Sequence, residues 1–381
     1  MSTAVQSGRS STVQNPEELM ISADSHVSEP VDLWERRLPV ALRDRAPNFR
    51  KSHARGGKPP INLKDNVDEK QKIEESKPII HAERKAGKDP VARLSEMVED
   101  GVIAEVLYPS LGGKLFFIED ARLQEGCAQT YNEWLAEYCS VAPDRLLGIA
   151  IIATYDIDRA VQELRRCKKA GLKGAIIWQL PPPDLSFTSE HYDPFWAAAQ
   201  ELQMPVSLHI NTGHRSRGYL DAHGLQSYRR SINVKLEEAI DGLFDIIFSG
   251  VLERFPQLKI VVVENEIGWM PFWLEQCDKY YERHRLVEPL PIKKRPSEYF
   301  YRQVHATFFN DETGGRLLSW WGVDNCMWSN DYPHSNSTWP HSREVVARDL
   351  GHLSAGDKEK LVRLNVARLY DLKIPSGNGL S

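Results

Sequence analysis

Three short stretches of this 381-residue chain place His and Asp side chains directly after apolar runs. Asp24 and His26 follow ELMISA, and because they lie two residues apart on an extended chain, they project to the same side. His209 lies at the end of PVSLHI, and Asp331 lies in the polar turn SNDYPH that follows CMW. Imidazole and carboxylate ligands together suit Zn²⁺, Mn²⁺ or Fe²⁺. A bound divalent ion lowers the pKa of its water toward ~7 and polarises a substrate carbonyl or carboxylate, so these residues indicate metal-dependent chemistry.

Each of these side chains also has a purely structural interpretation. Asp24 could end a loop with His26 hydrogen-bonded to it, and a His between Leu and Ile is often a buried core residue. Asp331 could be the N-cap of the next helix. The ligand set therefore depends on whether the fold brings the three stretches to one point.

Eight short apolar runs alternate with helical patterns along the chain. The runs are 18–24, 101–109, 146–154, 174–178, 205–210, 258–264, 304–309 and 326–331. Alternating strands and helices indicate βαβ units, and near-continuous apolar strands indicate burial on both faces. The α/β pattern predicts a (β/α)₈ TIM barrel with an N-terminal insertion and C-terminal helices, in which the carboxyl ends of the strands surround the active site. An open doubly wound sheet is the alternative, although no GxGxxG motif follows any strand.

The chain divides by composition into three regions. Residues 1–18 are polar and Ser-rich, which predicts a flexible tail, and residues 19–375 are predicted to form a single barrel domain. Within it, residues 45–90 are rich in charge and poor in periodic apolar residues, as in a loop or lid insertion.

Composition and charge narrow the class of protein. Hydrophobic residues make up 41% and charged residues 27%, as in soluble globular proteins. The net charge of -5 gives no electrostatic support for a nucleic-acid or membrane partner. Five scattered cysteines without a CxxC motif favour a reducing, cytoplasmic location, and no signal peptide or membrane span is predicted. We therefore expect a cytoplasmic protein that binds a small molecule.

Four motifs resemble the amidohydrolase-related family of metal-dependent TIM-barrel hydrolases, in the branch with aminocarboxymuconate semialdehyde decarboxylase and related aromatic-acid decarboxylases. The motifs are ISADSHVSEP, PVSLHI, ENEIGWMPFWLEQ and SNDYPHSNSTWPHSRE, and the resemblance covers most of residues 20–372. It implies one divalent ion (Zn, Mn or Fe) with ligands Asp24, His26, His209 and Asp331. The family often has His at the position of Asp24, and a carboxylate there shifts the choice toward Mn²⁺ or Fe²⁺.

A second departure from the family affects the predicted reaction. Many decarboxylase relatives carry a catalytic His in an HxGE motif after the sixth strand, whereas this chain has Glu264 in VENEIGW. Hydrolysis of a small aromatic or carboxylated substrate is therefore ranked first, with Asp331 transferring the proton of an activated water. The alternatives are non-oxidative decarboxylation, in which Asp331 protonates the ring carbon, and a non-catalytic ligand-binding barrel.

Five further side chains are candidates for the site. Glu264 and His214 are predicted to be catalytic, and Arg215 is predicted to hold a substrate carboxylate by a bidentate contact. Trp178 and His334 are predicted to contact the substrate. Each also has a structural alternative: a salt bridge for Glu264, a solvated loop for His214 and Arg215, core packing for Trp178 and a helix cap for His334. Loops 110–118, 180–192 and 211–230 are expected to shape the pocket.

Two expectations concern other parts of the barrel. His305 begins the seventh run, and burial near the base of the strand is expected for it. The segment MPFWLEQCDKYYERH carries large apolar residues that would pack on the barrel wall or form a homodimer face.

Overall fold

The barrel is seen in a computed structural model that describes residues 19–47, 85–219 and 224–374. Eight strands form one parallel sheet in chain order, each paired with the next. They are β1 Met20–Val27, β2 Val102–Pro109, β3 Leu146–Ile151, β4 Gly174–Ile177, β5 Val206–His209, β6 Ile260–Val263, β7 Val304–Phe308 and β8 Cys326–Trp328. All eight apolar runs are therefore strands, and the prediction of a (β/α)₈ TIM barrel is confirmed.

Backbone hydrogen bonds join the first strand to the segment after the last one. The Asp331 N–H donates to the Asp24 carbonyl at 3.0 Å, and the His26 N–H donates to the Tyr332 carbonyl at 2.6 Å. These bonds bring the sheet close to a closed barrel at the end where the predicted metal ligands lie.

Helices connect the strands on the outside of the barrel. They are α1 Leu33–Arg37, α2 Lys85–Lys88, α3 Pro90–Asp100, α4 Ala121–Cys139, α5 Ile157–Lys169, α6 Asp193–Glu201, α7 Leu225–Phe248, α8 Val251–Arg254, α9 Met270–His284, α10 Pro296–Gln303, α11 Glu312–Leu317, α12 Ser342–Leu350, α13 Ala355–Glu359 and α14 Asn365–Leu369. A π-helical turn, Lys360–Leu364, links α13 to α14. Short 3₁₀ turns lie at Gly112–Phe117 and His214–Tyr219, in loops at the carboxyl end of the barrel.

Local signals in the sequence explain where these helices begin and end. The Asp89 side chain accepts from two N–H groups at the start of α3, and Gly101 ends that helix with a φ of 78°. Asp120 and Asp156 cap α4 and α5 in the same way. Such caps pair backbone donors that have no intrahelical partner, and glycine adopts the left-handed conformation at low cost.

The strands are buried along their whole length, because helices cover one face and the barrel interior covers the other. All five cysteines are buried and none forms a disulfide. Among the helices of the described ranges, none is long and apolar enough to cross a membrane.

Parts of the predicted domain plan lie outside the described residues. These parts are the tail 1–18 and most of the 45–90 insertion, from residue 48 to residue 84. The end of that segment includes the short helix α2. The boundaries of the single domain and the lid therefore stay predictions.

Helix α9, the segment MPFWLEQCDKYYERH, has one face that packs on the barrel and one face that is exposed. Met270, Leu274 and Tyr281 pack against the barrel, whereas Phe272 and Tyr280 are exposed by 69% and 56%. The exposed face could form the predicted homodimer contact, and the homodimer stays a prediction.

Candidate metal centre and active site

The candidate site lies at the carboxyl end of the barrel and begins in an irregular part of β1. The register between β1 and β2 shifts between Ser22 and Ser25, and Asp24 lies within this shift. The hydroxyls of Ser22 and Ser25 both donate to Asn330 Oδ1, at 3.0 and 2.9 Å. A strand irregularity of this kind redirects side chains, and here the two serines tie it to the residue before Asp331.

Two histidines present the same ring nitrogen to the centre of the site. His26 Nδ1 lies 3.0 Å from the Pro109 carbonyl, and His209 Nδ1 lies 3.0 Å from the Ile210 carbonyl. Because a carbonyl only accepts, each Nδ1 carries a hydrogen, and in the neutral form of each ring Nε2 keeps its lone pair. Both Nε2 atoms are buried without a hydrogen-bond partner, and they lie 3.5 and 3.6 Å from Asp24 Oδ1. This is the arrangement of histidines that bind a metal through Nε2.

Two further carboxyl groups complete the cluster. Glu264 directly follows β6, and its Oε2 lies 3.9 Å from His26 Nε2 and 3.8 Å from His209 Nε2. Asp331 Oδ1 lies 3.4 Å from His26 Nε2 and 2.9 Å from His334 Nδ1. Both acids have a positive φ, 61° for Glu264 and 53° for Asp331, so a sharp backbone turn aims each of them at the centre.

Two overlapping groups of side chains could therefore hold a metal ion. One is Asp24, His26, His209 and Glu264, and the other is His26, Glu264, Asp331 and His334; the ligand atoms of each group lie within 4.8 Å of one another. Three of the sequence-predicted ligands, Asp24, His26 and His209, therefore lie in one group, and Asp331 lies in the second group, which shares His26 and Glu264 with the first.

The polar atoms of the cluster fit a divalent cation. Asp24 and Asp331 are fully buried and His26 is 1% exposed, yet both Asp24 oxygens and Asp331 Oδ2 have no hydrogen-bond partner. Such buried polar atoms without partners cost about 1–3 kcal/mol each. Two ligands about 2.1 Å from one ion are about 3.0–3.4 Å apart, close to the separations found here. A metal ion between these atoms would satisfy them together.

Burial and mutual repulsion shift the pKa values of the acids upward. Burial and the charge of Asp24 raise the pKa of Asp331 well above its usual range. Burial and Asp331 raise the pKa of Glu264 to about 8. Three carboxyl groups in one buried space repel each other, and positive charge between them relieves that repulsion.

The pKa values of the two histidines, His26 and His209, shift in opposite directions. Burial, His334 and His209 lower the pKa of His26 well below its usual range. Burial also lowers the pKa of His209, but the close negative charges of Asp24 and Glu264 outweigh it and raise the pKa to about 9. The acids of the cluster therefore stabilise a positive charge at His209.

A buried ion pair supports the cluster from behind. The Arg93 guanidinium donates to Glu105 Oε2 at 2.5 Å and to the His26 carbonyl at 2.6 Å. Arg93 is fully buried, and its pKa is raised because the pull of Glu105 exceeds the effect of burial. The pair fixes the end of β1 relative to β2.

A cavity of about 240 Å³ opens onto the cluster. His26, His209, Glu264 and His334 form its inner end. Its wall carries Lys114, Phe117 and Arg230, and the Arg230 guanidinium donates to Asn211 Oδ1 at 3.0 Å. Two cations and an aromatic ring beside a metal cluster suit a small, negatively charged aromatic molecule.

The other predicted site residues are divided between the cavity and its surroundings. His334 lies in the cavity, with its ring centroid 3.9 Å from that of His26. Trp178, His214 and Arg215 are absent from the cavity lining. Trp178 donates to the Phe116 carbonyl, His214 Nδ1 lies 3.3 Å from the Leu180 carbonyl, and Arg215 pairs with Asp241 on the surface. The structure does not bring these three to the cluster.

Lys114 and Arg230 were not singled out from the sequence. Both lie in loops predicted to shape the pocket, 110–118 and 211–230. No local pattern separates them from their neighbours Arg229 and Lys235, since the direction of each side chain depends on the packing of the loop against the barrel. A basic residue beside an aromatic one, as in KLFF, was the available signal for Lys114.

Known proteins share both the sequence pattern and the fold. An amidohydrolase family model matches residues 77–372. The gamma-resorcylate decarboxylase of Rhodococcus jostii strain RHA1 is 30% identical over 261 residues, which are 64% of this chain and 76% of the relative.

Two solved structures show the same barrel. The 5-carboxyvanillate decarboxylase of Sphingomonas paucimobilis has a TM-score of 0.69 at 22% identity, covering 93% of this chain and 99% of the other. A dihydroxybenzoic acid decarboxylase of Polaromonas sp. JS666, solved with bound manganese and the inhibitor 2-nitroresorcinol, has a TM-score of 0.63 at 19% identity, with coverages of 95% and 99%. The metal-ligand pattern at the strand ends and a family match over most of its length lead to one conclusion: the chain is an enzyme of the amidohydrolase family.

Proposed function

We propose that this enzyme is a metal-dependent, non-oxidative decarboxylase of a small aromatic hydroxy acid. The observation that carries the proposal is the cavity itself, in which a buried acid–imidazole cluster faces a wall with Lys114, Phe117 and Arg230. The gamma-resorcylate decarboxylase relative, which acts on an aromatic acid by its name, supports the same substrate class.

Asp24, His26 and His209 would hold one divalent ion, with Glu264 and Asp331 on either side. The three carboxylates favour Mn²⁺, as bound in the Polaromonas structure, although Zn²⁺ and Fe²⁺ suit the same ligands. A bound ion supplies positive charge against the substrate carboxylate and a neighbouring oxygen.

Asp331 and His334 are placed to move the proton. Asp331 Oδ1 lies 2.9 Å from His334 Nδ1, and burial and the charge of Asp24 raise the pKa of Asp331, which favours the protonated form of its carboxyl group. In the proposed reaction the protonated Asp331 carboxyl group gives its proton to the ring carbon that bears the carboxylate. The bond to the carboxylate then breaks, its electron pair restores the aromatic ring, and CO₂ leaves. His334, which is 30% exposed, then returns a proton from solvent to Asp331.

The cavity wall orients the substrate for this transfer. Arg230 is held by Asn211, and Lys114 lies near enough to Arg230 for the two charges to affect each other. These two cations would bind the acidic and phenolic oxygens of the substrate, and Phe117 would pack against its ring.

The family relatives change the ranking made from the sequence. Hydrolysis was ranked first because the HxGE histidine is missing, but the relatives named above are decarboxylases and so favour the alternative. The proton transfer proposed here needs Asp331 and His334 and does not need that histidine. A non-catalytic barrel gains no support from these relatives.

Product analysis distinguishes decarboxylation from hydrolysis. The Mn²⁺-loaded enzyme would be incubated with 2,6-dihydroxybenzoate and 5-carboxyvanillate, and separately with aromatic esters and amides. We expect CO₂ and the decarboxylated phenol from at least one acid. Hydrolysis of an ester or amide without CO₂ release from any acid would contradict the proposal.

Metal analysis tests the ligand set independently of the reaction. Mass spectrometry of the purified protein is expected to find about one equivalent of metal, lost in the Asp24→Ala, His26→Ala double variant. The matched control is His352→Ala, an exposed histidine outside the site. Equal metal content in the double variant and the wild type would overturn the ligand assignment.

A further inference from the structure

A second cavity, of about 590 Å³, lies at the amino end of the barrel. Pro205, Lys259 and Asn325 line it, and they directly precede β5, β6 and β8. His305, the second residue of β7, also lines it. The cavity is therefore at the end of the barrel opposite to the candidate metal centre.

Cations predominate in the lining of this amino-end cavity. They are Lys168, Lys173, Lys259, Arg302 and Arg368, against the two carboxylates Asp324 and Asp371. Asp324 forms an ion pair at 2.9 Å with Lys360, which does not line the cavity. Within the part of the chain that the structure describes, none of the five cations has a carboxylate oxygen within 4.0 Å. The lining thus has an excess of positive charge that the protein does not compensate at close range.

Neutral backbone groups hold three of these cations in place. Lys259 Nζ donates to the Arg302 carbonyl at 2.7 Å, and Arg302 Nη2 donates to the Leu252 carbonyl at 3.0 Å. Arg368 Nη2 donates to the Asp324 carbonyl at 2.8 Å. Carbonyl oxygens fix the positions of the cations but leave their charges in place. Burial, Arg302 and Arg368 lower the pKa of Lys259, which shows that the cations repel one another.

His305 adds a buried polar atom without a partner. The residue is 6% exposed, and its Nδ1 makes no hydrogen bond. Burial and the charges of Lys259 and Arg368 lower its pKa to about 3, so the ring is neutral at physiological pH. A neutral imidazole offers one donor and one acceptor, so His305 adds a polar group without charge to the cavity lining.

We propose that the amino-end cavity binds a small anion with at least two negative charges, of the phosphate or dicarboxylate class. Its volume is within the range of small-molecule sites, and five cations with one imidazole suit several anionic oxygens. The proposal does not depend on the reaction assigned to the other end of the barrel.

Titration calorimetry of the metal-loaded enzyme would test this site with inorganic phosphate and, separately, with malonate, at constant ionic strength. The test variant is Lys168→Gln, Lys173→Gln, because these two side chains make no hydrogen bond or ion pair in the described structure and their loss does not threaten folding. Lys259→Gln is the second variant. The charge-matched control is Lys169→Gln, Lys358→Gln, whose residues lie outside the cavity lining.

We expect the wild type and the control to bind phosphate, and the test variant to bind about tenfold more weakly. Binding of malonate as well assigns the site to dianions in general, and binding of phosphate alone assigns it to phosphoryl groups. Arg230→Gln, at the other end of the barrel, should bind as the wild type does. Absence of binding by the wild type, equal affinity in the test variant and the control, or loss of binding in Arg230→Gln alone would overturn the proposal.

Discussion

The two ends of the barrel contain polar clusters of opposite character. At the carboxyl end, three buried carboxyl groups and three histidines form two overlapping groups, and the cations Lys114 and Arg230 lie on the wall of the cavity. At the amino end, five cations surround a wider cavity and the carboxylates are few. In neither cluster do neighbouring side chains of opposite charge balance the charge. A bound cation would balance the first cluster, and a bound anion would balance the second. The same barrel therefore offers two kinds of site, distinguished by the residues that begin and end its strands.

The largest expected effect comes from removing the proposed proton donor. Asn at position 331 cannot carry the carboxyl proton, so Asp331→Asn should lower kcat by about 10²–10⁴-fold. Steady-state kinetics, with metal content measured on the same samples, would check this.

The control for that variant is Asp158→Asn, an exposed carboxylate in the first turn of α5, which should keep wild-type kcat. If Asp331→Asn keeps wild-type activity and full metal content, Asp331 is not the proton donor, and the proposed catalytic role of the carboxyl end loses its main support.

The ion pair behind the metal cluster should dominate the stability of the carboxyl end. Arg93→Met leaves Glu105 buried without its partner and should cost about 3–5 kcal/mol in the free energy of unfolding. Denaturant titration would measure it. The exposed pair Arg165–Glu201 is the comparison, where Arg165→Met should cost much less, because solvent screens an exposed ion pair. Equal costs would mean that the buried pair does not hold the end of β1.

Substrate affinity should depend on the cation in the cavity wall. Arg230→Gln removes a positive charge from the site and should raise KM by about tenfold, with a smaller change in kcat. The neighbouring Arg229 is exposed and outside the cavity lining, so Arg229→Gln is the matched control. A similar KM for both variants would contradict the proposed orientation of the substrate.

The smallest expected effect is a pH dependence of the free energy of unfolding, which arises from His305 at the amino end. The pKa of His305 falls from 6.5 to about 3 on folding because of burial, Lys259 and Arg368; Arg302 and Asp324 line the same cavity. A lowered pKa means that the unfolded chain takes up the proton first. The contribution of His305 to stability is therefore complete above pH 6.5 and is lost as pH falls toward 3.

The measurement is the free energy of unfolding across that pH range in phosphate-free buffer, for the wild type and for His305→Gln. The difference between the two proteins should shrink toward acid pH. A constant difference would show that His305 does not titrate differently in the folded state.

The fold could be predicted from the sequence because the strands and the helix ends are both marked by local patterns. Apolar runs of five to nine residues identified the strands, and residues such as Asp156 and Gly101 marked helix ends. The strand-end residues Asp24, His26 and His209 could be found for the same reason, since a barrel brings all strand ends to one rim. Their roles as ligands stay a prediction.

The cavity wall depends on contacts that no local pattern encodes. Arg230 is near the start of α7 and Lys114 is in the 3₁₀ turn Gly112–Phe117, and only the packed barrel shows that both line one cavity. Arg215 had the more suggestive neighbourhood in the sequence, but Asp241, 26 residues later on α7, holds its guanidinium at the surface. Likewise, the basic lining of the amino-end cavity comes from separate helices and loops, so no local pattern predicts it.

The backbone at Glu264 and Asp331 has a consequence for how this protein could change over time. Their positive φ values place non-glycine residues in a conformation that costs about 1–2 kcal/mol each. Glycine at either position would relieve that cost and remove a working carboxylate. Selection for stability alone would therefore favour changes that erase the site, and a thermostabilised descendant of this enzyme would be most at risk of inactivity at these two positions.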